Sequence, residues 1–141
     1  REPMGNHVFG CDICQDVCPW NRRAPASPLV QFQPRDLPPH REEAFPSQAA
    51  PKAKEDSLFL PRLDWLLALS EAGFREAFRG SPVKRTKWSG LVRNACIAAG
   101  NSGIRPGGAN YARILASLQK LAACDDSIVA ESAQWALSRI Q

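Results

Sequence analysis

The chain has 141 residues and a formal net charge of +4, with 44% hydrophobic and 23% charged residues. That balance suits one globular domain or two small units, and with no run of about 18 apolar residues it excludes a helical membrane span. The first ten residues, REPMGNHVFG, lack the apolar stretch of a secretory signal, so the cytoplasm is the expected compartment.

Two residue types are unevenly spread. Three of five cysteines fall within Cys11–Cys18, and eight of twelve prolines fall between Arg23 and Pro61. The expected organisation is a cysteine-bearing head over 1–24, a proline-rich strap over 25–61 and a helical body over 62–141.

In the head, Cys11-Asp-Ile-Cys14-Gln-Asp-Val-Cys18-Pro19 has the form C-x2-C-x3-C-P. Three thiols this close are expected to face a common point. A cytoplasmic setting argues against disulfides, and structural zinc prefers four ligands in paired spacings. A terminal Cys-Pro after a three-residue gap is instead the ending of the bacterial ferredoxin run, in which thiolates hold 4Fe-4S clusters. Zinc and uncoordinated thiols are the alternatives. A 4Fe-4S cluster takes four cysteines. Cys96 and Cys124 lie far along the chain and read as a core residue and a helix-end residue, so the missing ligands are expected upstream. Trp20 is expected to shield a cluster from water, and Arg22 and Arg23 to add phosphate contacts. His7 and His40 suggest no metal site, and no serine, histidine and acid constellation for hydrolysis can be singled out.

Prolines remove backbone donors and disfavour helix before them, so the strap reads as extended, pinned in places by Leu29, Val30, Phe32, Phe45, Leu58 and Phe59. Its charges balance at five basic and five acidic residues between Arg23 and Pro61. Beyond Pro61 the apolar residues recur at helical spacing. Leu63, Leu66, Leu67 and Ala68 form one face. Ser70 caps a second helix with Phe74, Ala77 and Phe78 as its stripe, ended by Gly80. Ser81-Pro82 opens a third helix carrying Trp88, Leu91, Val92, Ala95, Cys96 and Ala99, which Gly100-Asn101 is expected to stop, with Asn101 as its left-handed cap. A glycine-rich loop over 102–110 precedes a helix with Tyr111, Ile114, Leu115, Leu118 and Leu121. After the break Asp125-Asp126-Ser127 comes a last helix with Ile128, Val129, Ala133, Trp135, Ala136, Leu137 and Ile140.

Residues 91–100 (LVRNACIAAG) align without gaps to 128–137 (IVAESAQWAL), an offset of 37 residues. That period lies near the range of HEAT-like helical hairpins, which gain stability by stacking. Charge is local too. Six cations (Arg75, Arg79, Lys84, Arg85, Lys87 and Arg93) stand against Glu76 alone between Arg75 and Arg93, so that stretch nets +5 and the remainder −1 of the +4 total. A basic helical surface of this kind is the footprint of phosphate contacts; Trp88 within it could stack on a base or belong to the core.

The segment GNHVFGCDICQDVCPWNRRA, 5–24, closely resembles the second cluster motif of the epoxyqueuosine reductases. FREAFRGSPVKRTKWSGLVRNACIAAGN, 74–101, and DDSIVAESAQWAL, 125–137, look like that family's helical segment and closing HEAT-like repeat. The resemblance implies a mainly α fold: a partial ferredoxin-like 4Fe-4S head, a proline-rich extended strap and C-terminal HEAT-like helical repeats. It implies a cobalamin-dependent reductase that removes the epoxide oxygen of epoxyqueuosine at the wobble position of tRNA, giving queuosine. On that pattern the parent is a monomer with an N-terminal cobalamin domain bearing the catalytic acid, two 4Fe-4S clusters and a separate electron donor, and it binds no membrane. This chain is then its C-terminal part. Cys11 and Cys14 are expected to ligate the cluster nearer the cobalamin, and Cys18 the other. Arg22, Arg79, Lys84, Arg85, Lys87 and Arg93 are the expected contacts to tRNA carrying epoxyqueuosine. No catalytic residue is expected within the chain. Two further classes fit the same residues: a non-catalytic RNA- or protein-binding module, and an electron-transfer subunit.

Overall fold

The computed structural model describes residues 1–32, 35, 58 and 60–140. The described residues are mainly helical and contain no strand. Among the described residues six α-helices follow in order: α1 (Ile13–Asp16), α2 (Leu63–Ala68), α3 (Glu71–Ala77), α4 (Lys87–Asn101), α5 (Tyr111–Ala122) and α6 (Ser127–Ile140). Four 3-10 turns accompany them, Glu2–Met4, Asn21–Arg23, Val30–Phe32 and Pro82–Thr86. No helix among the described residues is long and apolar enough to cross a membrane.

The body forms where the apolar periodicity places it. Helix α2 buries Trp65, Leu66 and Leu67, with Leu69 just beyond it, whereas Ala68 turns outward. Ser70 caps α3, its hydroxyl accepting from the Gly73 amide at 3.1 Å, and Phe74, Ala77 and Phe78 are buried on the expected stripe. The Ser81-Pro82 start signal opens a 3-10 turn first: Ser81 Oγ accepts from the Val83 amide at 3.3 Å, and the α-helix begins at Lys87. Along α4, Leu91, Val92, Ala95, Cys96 and Ala99 are buried as the spacing requires. Asp126 Oδ1 accepts from the amides of Ile128 and Val129, both at 3.1 Å, and so starts α6.

Three details depart from expectation. Helix α4 ends at Asn101 as expected, but Asn101 is its last helical residue and not a left-handed cap: Ser102 follows with right-handed angles, and Gly103 supplies the left-handed turn at φ +68°. Gly100 has a packing role instead, because a Cβ there would stand 2.5 Å from Trp135 Cζ3 and 3.2 Å from the Ala136 Cα. Ile128 is 57% exposed although it matches Leu91 in the repeat.

Helix α4 packs on α6, α2 packs on both α4 and α5, and α5 packs on α6. The segments aligned at the 37-residue offset therefore lie side by side, with Val92, Cys96 and Ala99 and their counterparts Val129, Ala133 and Ala136 all buried.

Of the strap, Phe45 and Phe59 lie outside the described residues, and Leu29 and Val30 are exposed rather than pinned. Leu58 does pack against the core, and its amide donates to the Arg35 carbonyl at 2.8 Å. The Arg35 guanidinium in turn donates to the Arg79 carbonyl at 2.9 Å, which ties the strap to the end of α3.

Candidate functional site

The cysteine segment begins where the head leaves the body. Val8 packs against the core, Gly10 turns the chain at φ +65°, and Asp12 takes a left-handed conformation at φ +51°, which Asp tolerates better than most residues. The Asp12 carbonyl then accepts from the amides of Gln15 and Asp16 at 2.8 and 2.9 Å, winding α1 across Cys14. Asn21 closes the loop behind Cys18: its side-chain amide donates to the Gln15 carbonyl at 3.1 Å and to Gln15 Oε1 at 2.7 Å, and its backbone amide donates to the Cys18 carbonyl at 3.1 Å. The sequence reading did not single out Asn21. Its position just after Cys-Pro-Trp was the available signal.

All five cysteines are free thiols, with Cys11 and Cys14 exposed and Cys18 half-buried. Among the described residues no three His, Cys, Asp or Glu side chains are grouped to hold a metal ion. Trp20, expected to cover a cluster, is 88% exposed, and Phe9, Ile13 and Val17 are exposed around the same segment. Two open clefts lie elsewhere, one between Pro3 and Trp135 and one between Glu71, Trp88 and Cys124.

The other two cysteines belong to the body. Cys96 is fully buried, and burial, helped by the neighbouring Cys124 thiol, pushes its own thiol up to about 12. Cys124 is half-buried, with its Sγ donating to the Asp126 carbonyl at 3.6 Å.

The basic residues are on the surface. Arg22, Arg79, Lys84, Arg85, Lys87 and Arg93 are all exposed. Among the described residues Lys84, Arg85 and Lys87 have no ion-pair partner, whereas Arg75 is paired with Glu71. Lys84 and Arg85 lie in the 3-10 turn before α4 and Lys87 at its first residue, so three of the cations share one end of one helix. Trp88 takes the core role. It is half-buried against the core, and its indole Nε1 donates to the Leu69 carbonyl at 2.6 Å, which locks the ring between α2 and α4.

Asn101 is expected as a helix cap, and Asn94 follows Arg93 along α4. Both reach the head: Asn94 Nδ2 donates to the Val8 carbonyl at 2.8 Å, and Asn101 Nδ2 to the carbonyls of Gly5 at 2.9 Å and Arg1 at 3.2 Å.

Comparison with curated proteins gives the same family for relatives that span the head as well as the body. An epoxyqueuosine reductase from Xanthomonas campestris is 34% identical over 139 residues, covering 99% of this chain, and one from Francisella cf. novicida is 33% identical over 140 residues, again covering 99%. The chain belongs to the epoxyqueuosine reductase family. It spans about a third of the length of these curated relatives, 32% of each. A further epoxyqueuosine reductase, from Cyclobacterium marinum, is 42% identical over 91 residues, 64% of this chain and 22% of its own length. No family profile matches the chain, and no solved structure does.

Proposed function

We propose that this chain supplies the second cysteine motif and the tRNA-contacting helices of an oxidoreductase that converts epoxyqueuosine to queuosine at the tRNA wobble position in the cytoplasm. The observation that carries the reading is the similarity to epoxyqueuosine reductases over 99% of the chain, with the C-x2-C-x3-C-P segment inside it.

The donor set fits part of an iron–sulfur site. Cys11, Cys14 and Cys18 are unpaired thiols at or near the surface, and soft thiolates are the ligands such iron takes. Three thiols fall short of the four that one 4Fe-4S cluster takes. The resemblance divides them, with Cys11 and Cys14 facing one cluster and Cys18 another. Bound clusters would supply single-electron transfer toward a cobalamin held elsewhere in the parent, from an electron donor of its own. The exposed Phe9, Ile13, Val17 and Trp20 would exclude water from the thiolates when covered.

The packing of α4 on α6, the helices that carry the two segments of the 37-residue repeat, supports a HEAT-like body. Its cationic end at Lys84, Arg85 and Lys87, together with Arg79, Arg93 and the head's Arg22, would neutralise tRNA phosphates.

Anaerobic reconstitution of this chain with ferrous iron and sulfide tests the reading. The expected product is a labile, substoichiometric cluster that is lost when Cys11, Cys14 and Cys18 are changed to Ser. A stable pair of 4Fe-4S clusters in the isolated chain, or iron uptake indifferent to the three cysteines, would overturn it.

A further inference from the structure

Asn94 is out of place by local rules. Asn is a poor helix former, since its side chain competes for nearby backbone groups, yet Asn94 lies in the middle of α4, whose last residue is Asn101. They are seven residues apart, which puts them on the same side of the helix two turns from each other. Each gives its amide hydrogens to the head, Asn94 to the Val8 carbonyl and Asn101 to the Gly5 carbonyl.

The orientation of Asn94 is fixed from both ends. Its Oδ1 accepts from Arg93 Nε at 3.1 Å and Nη2 at 2.7 Å, while its Nδ2 faces the Val8 carbonyl. Reversing the amide would set two donors against each other and two oxygens against each other. Asn101 faces two carbonyls, an arrangement that only its NH2 group satisfies.

The bond from Asn94 falls at a telling place. Val8 is the residue whose side chain enters the core, and only Phe9 and Gly10 separate it from Cys11. Toward the other end of α4 stands Lys87, seven residues before Asn94, about 10.5 Å along the same rigid helix. One helix thus carries the anchor of the cysteine segment and part of the cationic surface.

We propose that Asn94 and Asn101 are positioning residues that clip the cysteine-bearing head to α4 and so fix where Cys11 and the thiols after it stand relative to the cationic end of that helix, with Arg93 holding the Asn94 amide in its donating orientation. The clip is a property of the chain alone. Its effect on a bound cluster rests on the iron–sulfur reading above.

The test uses Asn94→Asp, which keeps the acceptor for Arg93 and removes the donor to Val8, and the double variant Asn94→Ala/Asn101→Ala. Hydrogen exchange followed by mass spectrometry on the metal-free chain should show amides of residues 5–18 exchanging about five- to thirtyfold faster in both variants, with α5 and α6 unchanged. Head exchange within about twofold of the parent chain in both variants overturns the proposal, as does equal acceleration in α5 and α6, which would make the asparagines general stabilisers of the fold. In a second arm, chains loaded anaerobically with ferrous iron and sulfide are reduced and their electron paramagnetic resonance spectra compared. The variants should give a shifted or broadened signal. A spectrum identical to the parent's overturns the claim that the clip positions the thiols. If no chain, parent included, takes up iron, the iron–sulfur reading fails, and the exchange arm still decides the clip.

Discussion

Replacing Gly100 by alanine sets two effects of opposite sign against each other. Inside a helix the change favours folding by about 1 kcal/mol, because alanine loses less backbone freedom than glycine. At Gly100, however, the new methyl carbon would lie 2.5 Å from Trp135 Cζ3, 3.1 Å from Cε3 and 3.2 Å from the Ala136 Cα. The last of these is backbone of α6 and cannot rotate away. The Trp135 ring is itself held between the guanidinium groups of Arg1 and Arg139, 5.7 and 5.9 Å from its centre. Overpacking a tight contact costs about 1–3 kcal/mol, and with an aromatic ring and a backbone atom both in the way the upper end applies. The net is a loss of about 2 kcal/mol, or a fall of about 8–16 °C in Tm for a helical body of this size. Thermal unfolding followed by far-ultraviolet circular dichroism measures it. Adding Trp135→Leu should recover part of the loss in the double variant. A Gly100→Ala chain as stable as the parent, or more so, would refute the close approach of α4 and α6 at this point.

Changing Lys84, Arg85 and Lys87 together to alanine should weaken tRNA binding and reduce the slope of log K against log salt by about 2–3, as expected for three lost phosphate contacts; filter binding across a salt series checks it, and an unchanged slope would make these cations a solvated face. Asp64 is held below the usual carboxylate range: burial pushes it up, but the hydrogen bonds and charge of Arg62 and the charge of Arg113 outweigh that. Asp64→Asn should therefore cost about 1 kcal/mol above about pH 5, and the gap from the parent should close as pH falls through the depressed folded-state value, because both chains are then uncharged at this position; urea titrations at several pH values would show it. With its thiol raised to about 12, Cys96 should resist alkylation at mildly alkaline pH while Cys11 and Cys14 are modified, which peptide mass spectrometry can score. The same raised value means stability should fall as pH rises past the ordinary thiol range, since the unfolded thiol ionises first.

Much of the body was legible because its signals are local. The stripes through Phe74, Ala77 and Phe78 and through Leu91, Val92, Ala95 and Cys96 need only the helical period, and the Ser70 cap needs only the next three residues. The 37-residue offset also foretold which helices lie side by side. Local signals misled where a distant partner was involved. Gly100 and Asn101 read as a stop because glycine and asparagine commonly end helices, and α4 does end at Asn101, but their identities answer to distant partners: the facing α6 needs a residue without a side chain at 100, and the head takes an amide at 101. Trp88 stood among cations and could have been a stacking platform until the Leu69 carbonyl was found at its indole nitrogen.

The cysteine spacing by itself placed three soft thiol donors close together in the head, since thiol number and softness are properties of the residues. Sequence likewise determined the helices and the excess of positive charge, which are set within a few residues of each other. Only the tertiary structure decided how these parts are joined. The bonds from Asn94 to Val8 and from Asn101 to Gly5 span 86 and 96 residues of chain. No pattern of neighbours encodes a contact across that distance; it exists because packing α4 against the head brings a side-chain donor to an otherwise unsatisfied carbonyl.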